Sequence, residues 1–172
     1  MINWNSLEND LVSHFESQRD KSEQDTAKYI AETYDRYVRL GKTQYGNSIL
    51  SSVPKTFETF IYLGLMDARN GKNLQRTSQR ISQGIVAYWL NVTLQITIPP
   101  PGSIQTVTNV IAFPGIPITI SIRNTQNVRL LAKTLTLGFK THIQTITGIN
   151  TALVPIPGGG TVPTPFPWTG IK

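Results

Sequence analysis

Leu94-Gln95-Ile96-Thr97-Ile98-Pro99-Pro100-Pro101-Gly102 is where the chain changes character, and its reading separates an all-helical protein from a mixed one. Three successive prolines hold φ near one value and remove three backbone donors, so no helix crosses them and the segment is stiff and extended. Before it, apolar residues recur every three or four positions. After it come short runs of Thr, Val and Ile punctuated by proline and glycine. The expected class is therefore α+β.

Working back toward the N-terminus, four segments read as helices. Asn5 with Glu8 is a box-like cap, followed by Leu7, Leu11 and Phe15. Ser22 with Asp25 caps a second helix, whose stripe of Ala27, Ile30, Ala31, Tyr34, Tyr37 and Val38 stops at Leu40-Gly41. Ser52-Val53-Pro54 opens a third, because proline is tolerated where the first-turn N–H groups have no partner. Phe57, Phe60, Ile61, Leu63 and Leu65 make that helix the apolar centre, and Asn70-Gly71 ends it. Leu74, Ile81, Ile85, Tyr88, Trp89 and Val92 form a fourth stripe, whose last turns read equally well as strand.

Working forward, Thr106 to Phe113 and Ile116 to Ile122 suit an antiparallel pair joined through Phe113-Pro114-Gly115-Ile116-Pro117. A helical period returns from Asn127 in Leu131, Leu135, Phe139, His142, Ile143 and Ile146, up to Gly148. From Ile149, glycine and alternate prolines exclude a helix and a central strand. The expected organisation is a helical domain of about four helices over residues 1–94, a β-hairpin plus helix over 95–148, and an extended Pro/Gly-rich arm over 149–172. The arm reads either as a disordered tail or as one that docks on a neighbouring subunit, and Val162, Phe166, Trp168 and Ile171 favour docking as its anchors, since a solvated tail has no use for them.

Charge divides the chain as sharply as proline does. All ten acids lie at or before Asp67, where seven bases leave a net −3; the residues beyond it carry nine bases and no acid, +9. Between Ile81 and Ile122 there is no charge of either sign. Such asymmetry points to an anionic partner or to self-association of unlike halves.

The chemistry-bearing motifs read as structural. Gly41-Lys42-Thr43 lacks the glycine a phosphate loop needs five residues earlier, where Arg36 stands, and it follows a helix instead of a strand. Gly158-Gly159-Gly160 is a spacer with no helix after it. His14 and His142 each lack a second histidine at i+4, and with no cysteine there is neither a thiolate metal site nor a cysteine nucleophile. Glu32 with Arg36 and Asp35 with Arg39 have the order of helix-supporting ion pairs. No cofactor, metal or catalytic set is expected. An enzyme would have to draw its groups from the first 67 residues or from a partner chain.

Arg69, Lys72, Arg76 and Arg80 recur at helical spacing, and Arg129, Lys133 and Lys140 add a second basic face. The alternative function is therefore a basic nucleic-acid-binding or packaging accessory protein in which these seven meet phosphates. Against it stand the low density of bases and the placement of Trp89 and Phe139 on apolar stripes.

N-terminal helices, then Ile98-Pro99-Pro100-Pro101-Gly102-Ser103-Ile104, then Val107-Thr108-Asn109-Val110-Ile111-Ala112-Phe113-Pro114-Gly115 and the terminal Pro165-Phe166-Pro167-Trp168-Thr169-Gly170 together resemble small virion proteins of large contractile-tailed bacteriophages. The resemblance covers about the last 75 residues and implies a non-enzymatic structural subunit of the tail, neck or baseplate, present in many symmetric copies. Its expected partners are copies of itself and other virion proteins, in a homo-oligomer, with no membrane. A start without basic and apolar signal regions fits synthesis in the host cytoplasm and residence in the virion. The −3 and +9 halves would then meet head to tail between subunits.

Overall fold

The computed structural model describes residues 1–17, 22–71, 73–96, 99–104, 107–122 and 126–172. Among them are five helices: α1 (Trp4–Ser17), α2 (Glu23–Val38), α3 (Pro54–Arg69), α4 (Leu74–Trp89) and α5 (Val128–Thr145). Five strands, β1 (Ser48–Ser51), β2 (Thr93–Gln95), β3 (Val107–Phe113), β4 (Thr147–Pro155) and β5 (Thr161–Thr169), form two antiparallel sheets ordered β1-β2 and β3-β4-β5. The fold is mixed α+β.

The helix ends follow local chemistry. Ser22 caps α2, accepting from the Asp25 amide, and Asn127 accepts from the amides of Arg129 and Leu130 to start α5. Asn3, not Asn5, caps α1, its Oδ1 accepting from the Ser6 amide at 3.1 Å. Pro54 stands in the first turn of α3, but its N-cap is Val53, which offers no side-chain acceptor. Ser52 instead turns to Asp35 and Arg39. The last turns of α4, ambiguous by pattern, are helical to Trp89.

One buried core joins Leu7 and Leu11 of α1, Ile30 and Tyr34 of α2, Phe57 and Ile61 of α3, Ile81, Ile85, Tyr88 and Trp89 of α4, and Leu135, Phe139 and Ile143 of α5. Its centre is aromatic. Tyr34 meets Phe57 and Tyr88 edge-on at 5.4 and 5.3 Å, and Phe139 tilted at 4.8 Å. Trp89 Nε1 donates to the Tyr34 hydroxyl at 2.8 Å, which satisfies a buried donor. Gly84 lets α4 lie close on α3, since a Cβ there would stand 2.6 Å from Phe60 Cβ and 2.8 Å from the Phe57 ring.

Two expectations for the second half are corrected. The strand over 107–113 does not pair with 116–122. It pairs with β4, from Val110 opposite Asn150 to Phe113 opposite Thr147, with a register slip between Val107 and Asn109. Residues 114–122 instead straddle α4 and α5. The Ile120 and Ile122 amides donate to Ser82 and Ser78 of α4, each at 2.9 Å, the Ile116 amide donates to Thr145, and Ile120 packs where Gly138 of α5 has no side chain. In a hairpin the partner strand's carbonyls accept from such amides, and here the hydroxyls of α4's serines have taken that role. Thr106, the expected first residue of the strand, lies outside the described residues.

The second correction concerns 149–172, which is not an extended arm. It supplies most of β4 and all of β5, paired without a break from Thr147 opposite Thr169 to Pro155 opposite Thr161. Val162, Thr164, Phe166 and Trp168 are spaced by two and so share one face, which β pairing turns toward the helices. Trp168 is 2% exposed and Ile171 is buried beside it, both in the chain's own core, while Phe166 stands edge-on to Tyr45. Two of the four expected inter-subunit anchors are thus internal.

Candidate assembly interface

The β3-β4-β5 sheet has unlike faces. Gly148, Asn150, Ala152 and Trp168 are buried on the inner one. Gly148 is required there, because a Cβ would collide with the Trp168 indole and the Ile111 carbonyl. Asn150 sits opposite the loop after α2, its Oδ1 accepting from Asn47 Nδ2 at 2.9 Å with both residues fully buried. That one polar pair ties the sheet to the helical side.

The outer face is the opposite case. Register sets Ile111, Ile149 and Pro167 in one row and Phe113, Thr147 and Thr169 in the next, with Pro163, Pro165 and Leu153 beyond. Ile111 is 44% exposed and Phe113 45%. No residue from Thr141 to Ile171 is Asp, Glu, Lys or Arg, and neither is any from Ile81 to Ile122, so all three strands are free of acid and base. The outer face is thus uncharged, with exposed apolar side chains at Ile111 and Phe113 and with Asn109, Thr147, Thr151 and Thr169 as its polar members.

The edge of that sheet is chemically selective. Pro163, Pro165 and Pro167 cannot donate, so the bonds to β4 come from the alternate residues, and the prolines point their carbonyls outward. Pro167 shows this directly, its carbonyl accepting from Gln44 Nε2 and the Tyr45 hydroxyl, each at 3.3 Å. An incoming strand finds acceptors and no donors at these three positions, which blocks edge-to-edge pairing while leaving the face free.

The seven bases of the sequence analysis are scattered and largely matched. Arg69 binds Glu23 at 2.9 Å; Arg76 and Arg80 converge on Asp67 at 3.0 and 3.7 Å; Arg129 reaches Glu16 at 3.7 Å. Lys133 and Lys140 are exposed on α5, and Lys72 lies outside the described residues. All four arginines thus meet acids of the first 67 residues within one chain, so the −3 and +9 halves meet internally and the head-to-tail attraction expected between subunits loses these charges. Glu32 and Arg36 also part company. Arg36 binds Asp10 of α1 at 2.9 Å, and Glu32 faces Lys28 at 3.9 Å.

Polar clusters elsewhere hold the fold. Asp35 accepts from Arg39 Nε at 2.8 Å, as its spacing predicts, and from Tyr88 at 2.6 Å and Ser52. Burial, and then this carboxylate, raise the Tyr88 phenol so that it stays protonated. Glu58 is buried with Gln24 and Lys55 as donors. His14 stacks flat on Tyr29, 3.7 Å between centroids. His142 is buried in α5 beside the Pro114 carbonyl, and burial lowers its pKa to about 4. Among the described residues no three His, Asp or Glu side chains gather to hold a metal ion, and no helix is long and apolar enough to cross a membrane. No family model, curated protein or solved structure matches the chain.

Proposed function

We propose that this protein is a non-enzymatic assembly subunit, of the kind that builds the tail, neck or baseplate of a bacteriophage particle, and that it acts through the outer face of β3-β4-β5. The observation that carries the reading is the combination on one sheet of exposed Ile111 and Phe113, no acid or base on any strand, and a donor-free proline edge. A free-standing chain gains nothing from such a face, whereas a subunit buries it against a neighbour without desolvating a charge.

Light scattering on nuclease-treated protein tests this. The wild type forms a discrete oligomer that persists at high salt, because apolar burial is not screened, and the double variant Ile111→Lys with Phe113→Lys stays folded but scatters with a lower mass. A wild type that stays monomeric at every attainable concentration overturns the reading. Nucleic acid that co-purifies and is released by salt would replace it with the packaging alternative.

A further inference from the structure

Beyond the sheet face, the chain carries an apolar knob and an apolar groove on different parts of its surface. The knob is the tip of the β4-β5 hairpin. Among the described residues β3 is paired with β4 as far as Ala152, and the Ile104 amide still donates to the Leu153 carbonyl at 2.9 Å, whereas β4 and β5 stay paired with each other out to Pro155 and Thr161, so the turn lies past that last contact. It closes on itself, with the Ile156 amide donating to Gly160 and the Gly159 amide to Ile156, each at 3.2 Å. Gly158, Gly159 and Gly160 all have φ between 91 and 94°, which only glycine adopts without strain, and nothing lies within 4 Å of where their Cβ atoms would stand. Ile156 and Val162 flank this turn, 45% and 44% exposed.

The groove is formed by one side of α4 and the segment that crosses it. Gln83, Val86, Ala87 and Leu90 line one wall and Pro117 and Ile118 the other, around a space of about 530 Å³. Leu90 is 67% exposed at its mouth. Every residue lining it is uncharged, as is every residue of the hairpin.

We infer that the hairpin tip of one copy seats in the α4 groove of the next. This rests on the assembly reading above and names the partner as a second copy of this chain. Three observations favour that occupant. A groove without charge rejects a charged tip, which would be desolvated with no counter-ion, and this tip has none. The alternate prolines exclude docking by strand addition along β5, leaving side chains to make the contact. The tip is held by its own hydrogen bonds, so little ordering cost falls on association. Because knob and groove are different surfaces, the contact is heterologous and repeats, giving a closed ring or an open filament.

Complementation between two crippled copies tests the pairing. A knob variant carries Ile156→Lys with Val162→Lys, and a groove variant carries Gln83→Lys with Leu90→Lys. All four sites are solvent-exposed, and circular dichroism checks that each variant keeps the wild-type fold. Both variants are built on the Ile111→Lys with Phe113→Lys background, which silences the sheet face, and each alone is then expected to scatter with a single chain's mass. Their equimolar mixture is expected to give twice that mass and nothing larger, since one intact knob and one intact groove remain. A mixture that stays monomeric, or a variant that assembles like wild type, overturns the inference. If that happens while Ile111→Lys with Phe113→Lys still dissociates the wild-type oligomer, the sheet-face reading survives alone; a wild type that never assembles removes both.

Discussion

The helical layer and the β3-β4-β5 sheet treat charge in opposite ways. On the helices, acids and bases lie close enough to pair, Arg76 and Arg80 on Asp67, Arg69 on Glu23, Arg36 on Asp10, and the apolar stripes are buried inward while Leu63, Leu130 and Leu137 stay exposed among charged neighbours. On the sheet there is no charge to pair, and apolar residues face out as well as in. A surface meant for water is built like the first, because scattered charges keep it solvated and discourage association. A surface meant for another protein is built like the second. On the proposed assembly reading, the surface buried between subunits is the one where charge is missing, not the one where it is clustered.

The comparison breaks most readily at the residue that joins the two regions. Trp168→Ala empties the site under Gly148 and should cost about 3–5 kcal/mol in chemical denaturation; a loss below about 1 kcal/mol would show that the sheet is not seated on the helices through this ring.

Acid should act next. His142 has a folded pKa of about 4 against an unfolded value near 6.5, so the unfolded chain binds the proton first. Stability is complete above about pH 6.5 and falls by up to about 3 kcal/mol as pH drops toward 4, levelling off below that. Thermal melts of wild type and His142→Leu between pH 7 and 4 should diverge, with the variant losing that slope; parallel curves would remove His142 from the account.

On the helical side, Asp67→Asn takes the counter-charge from Arg76 and Arg80 in a mostly buried position, a loss of about 1–3 kcal/mol by denaturant titration. An unchanged midpoint would mean that the pairing there is ornamental. On the sheet, Ile111→Lys should shift the single chain's stability by less than about 0.5 kcal/mol, since the side chain is nearly half exposed. Under the proposed assembly its effect falls on the oligomer's mass, and a large unfolding shift would instead place Ile111 in the protein's own packing.

The legible features in the sequence were local ones. The Ser22 cap and the apolar stripes of α2 and α5 follow from a period of 3.6 and a side chain three residues from an orphan amide. The alternate prolines of β5 exclude a central strand, and β5 is an edge strand. Their companions at Val162, Thr164, Phe166 and Trp168 also carried a period of two, the signal that would have revealed a strand where an arm was expected. Ser78 and Ser82 gave no such signal, because a serine on a helix does not announce that it will bind a backbone 38 to 44 residues away.

The sequence by itself determined a mixed chain, the course of its helices, and two charge-free stretches, all of which depend on neighbours within a few residues. Tertiary structure alone decided that β3 pairs with β4 across the whole length of α5, that acids of the first half meet bases of the second, and that Trp168 is core while Ile111 and Phe113 are surface. Local composition cannot choose among these, since strand partners and ion pairs are selected by which packing buries the most apolar area around one core, a property of the whole chain.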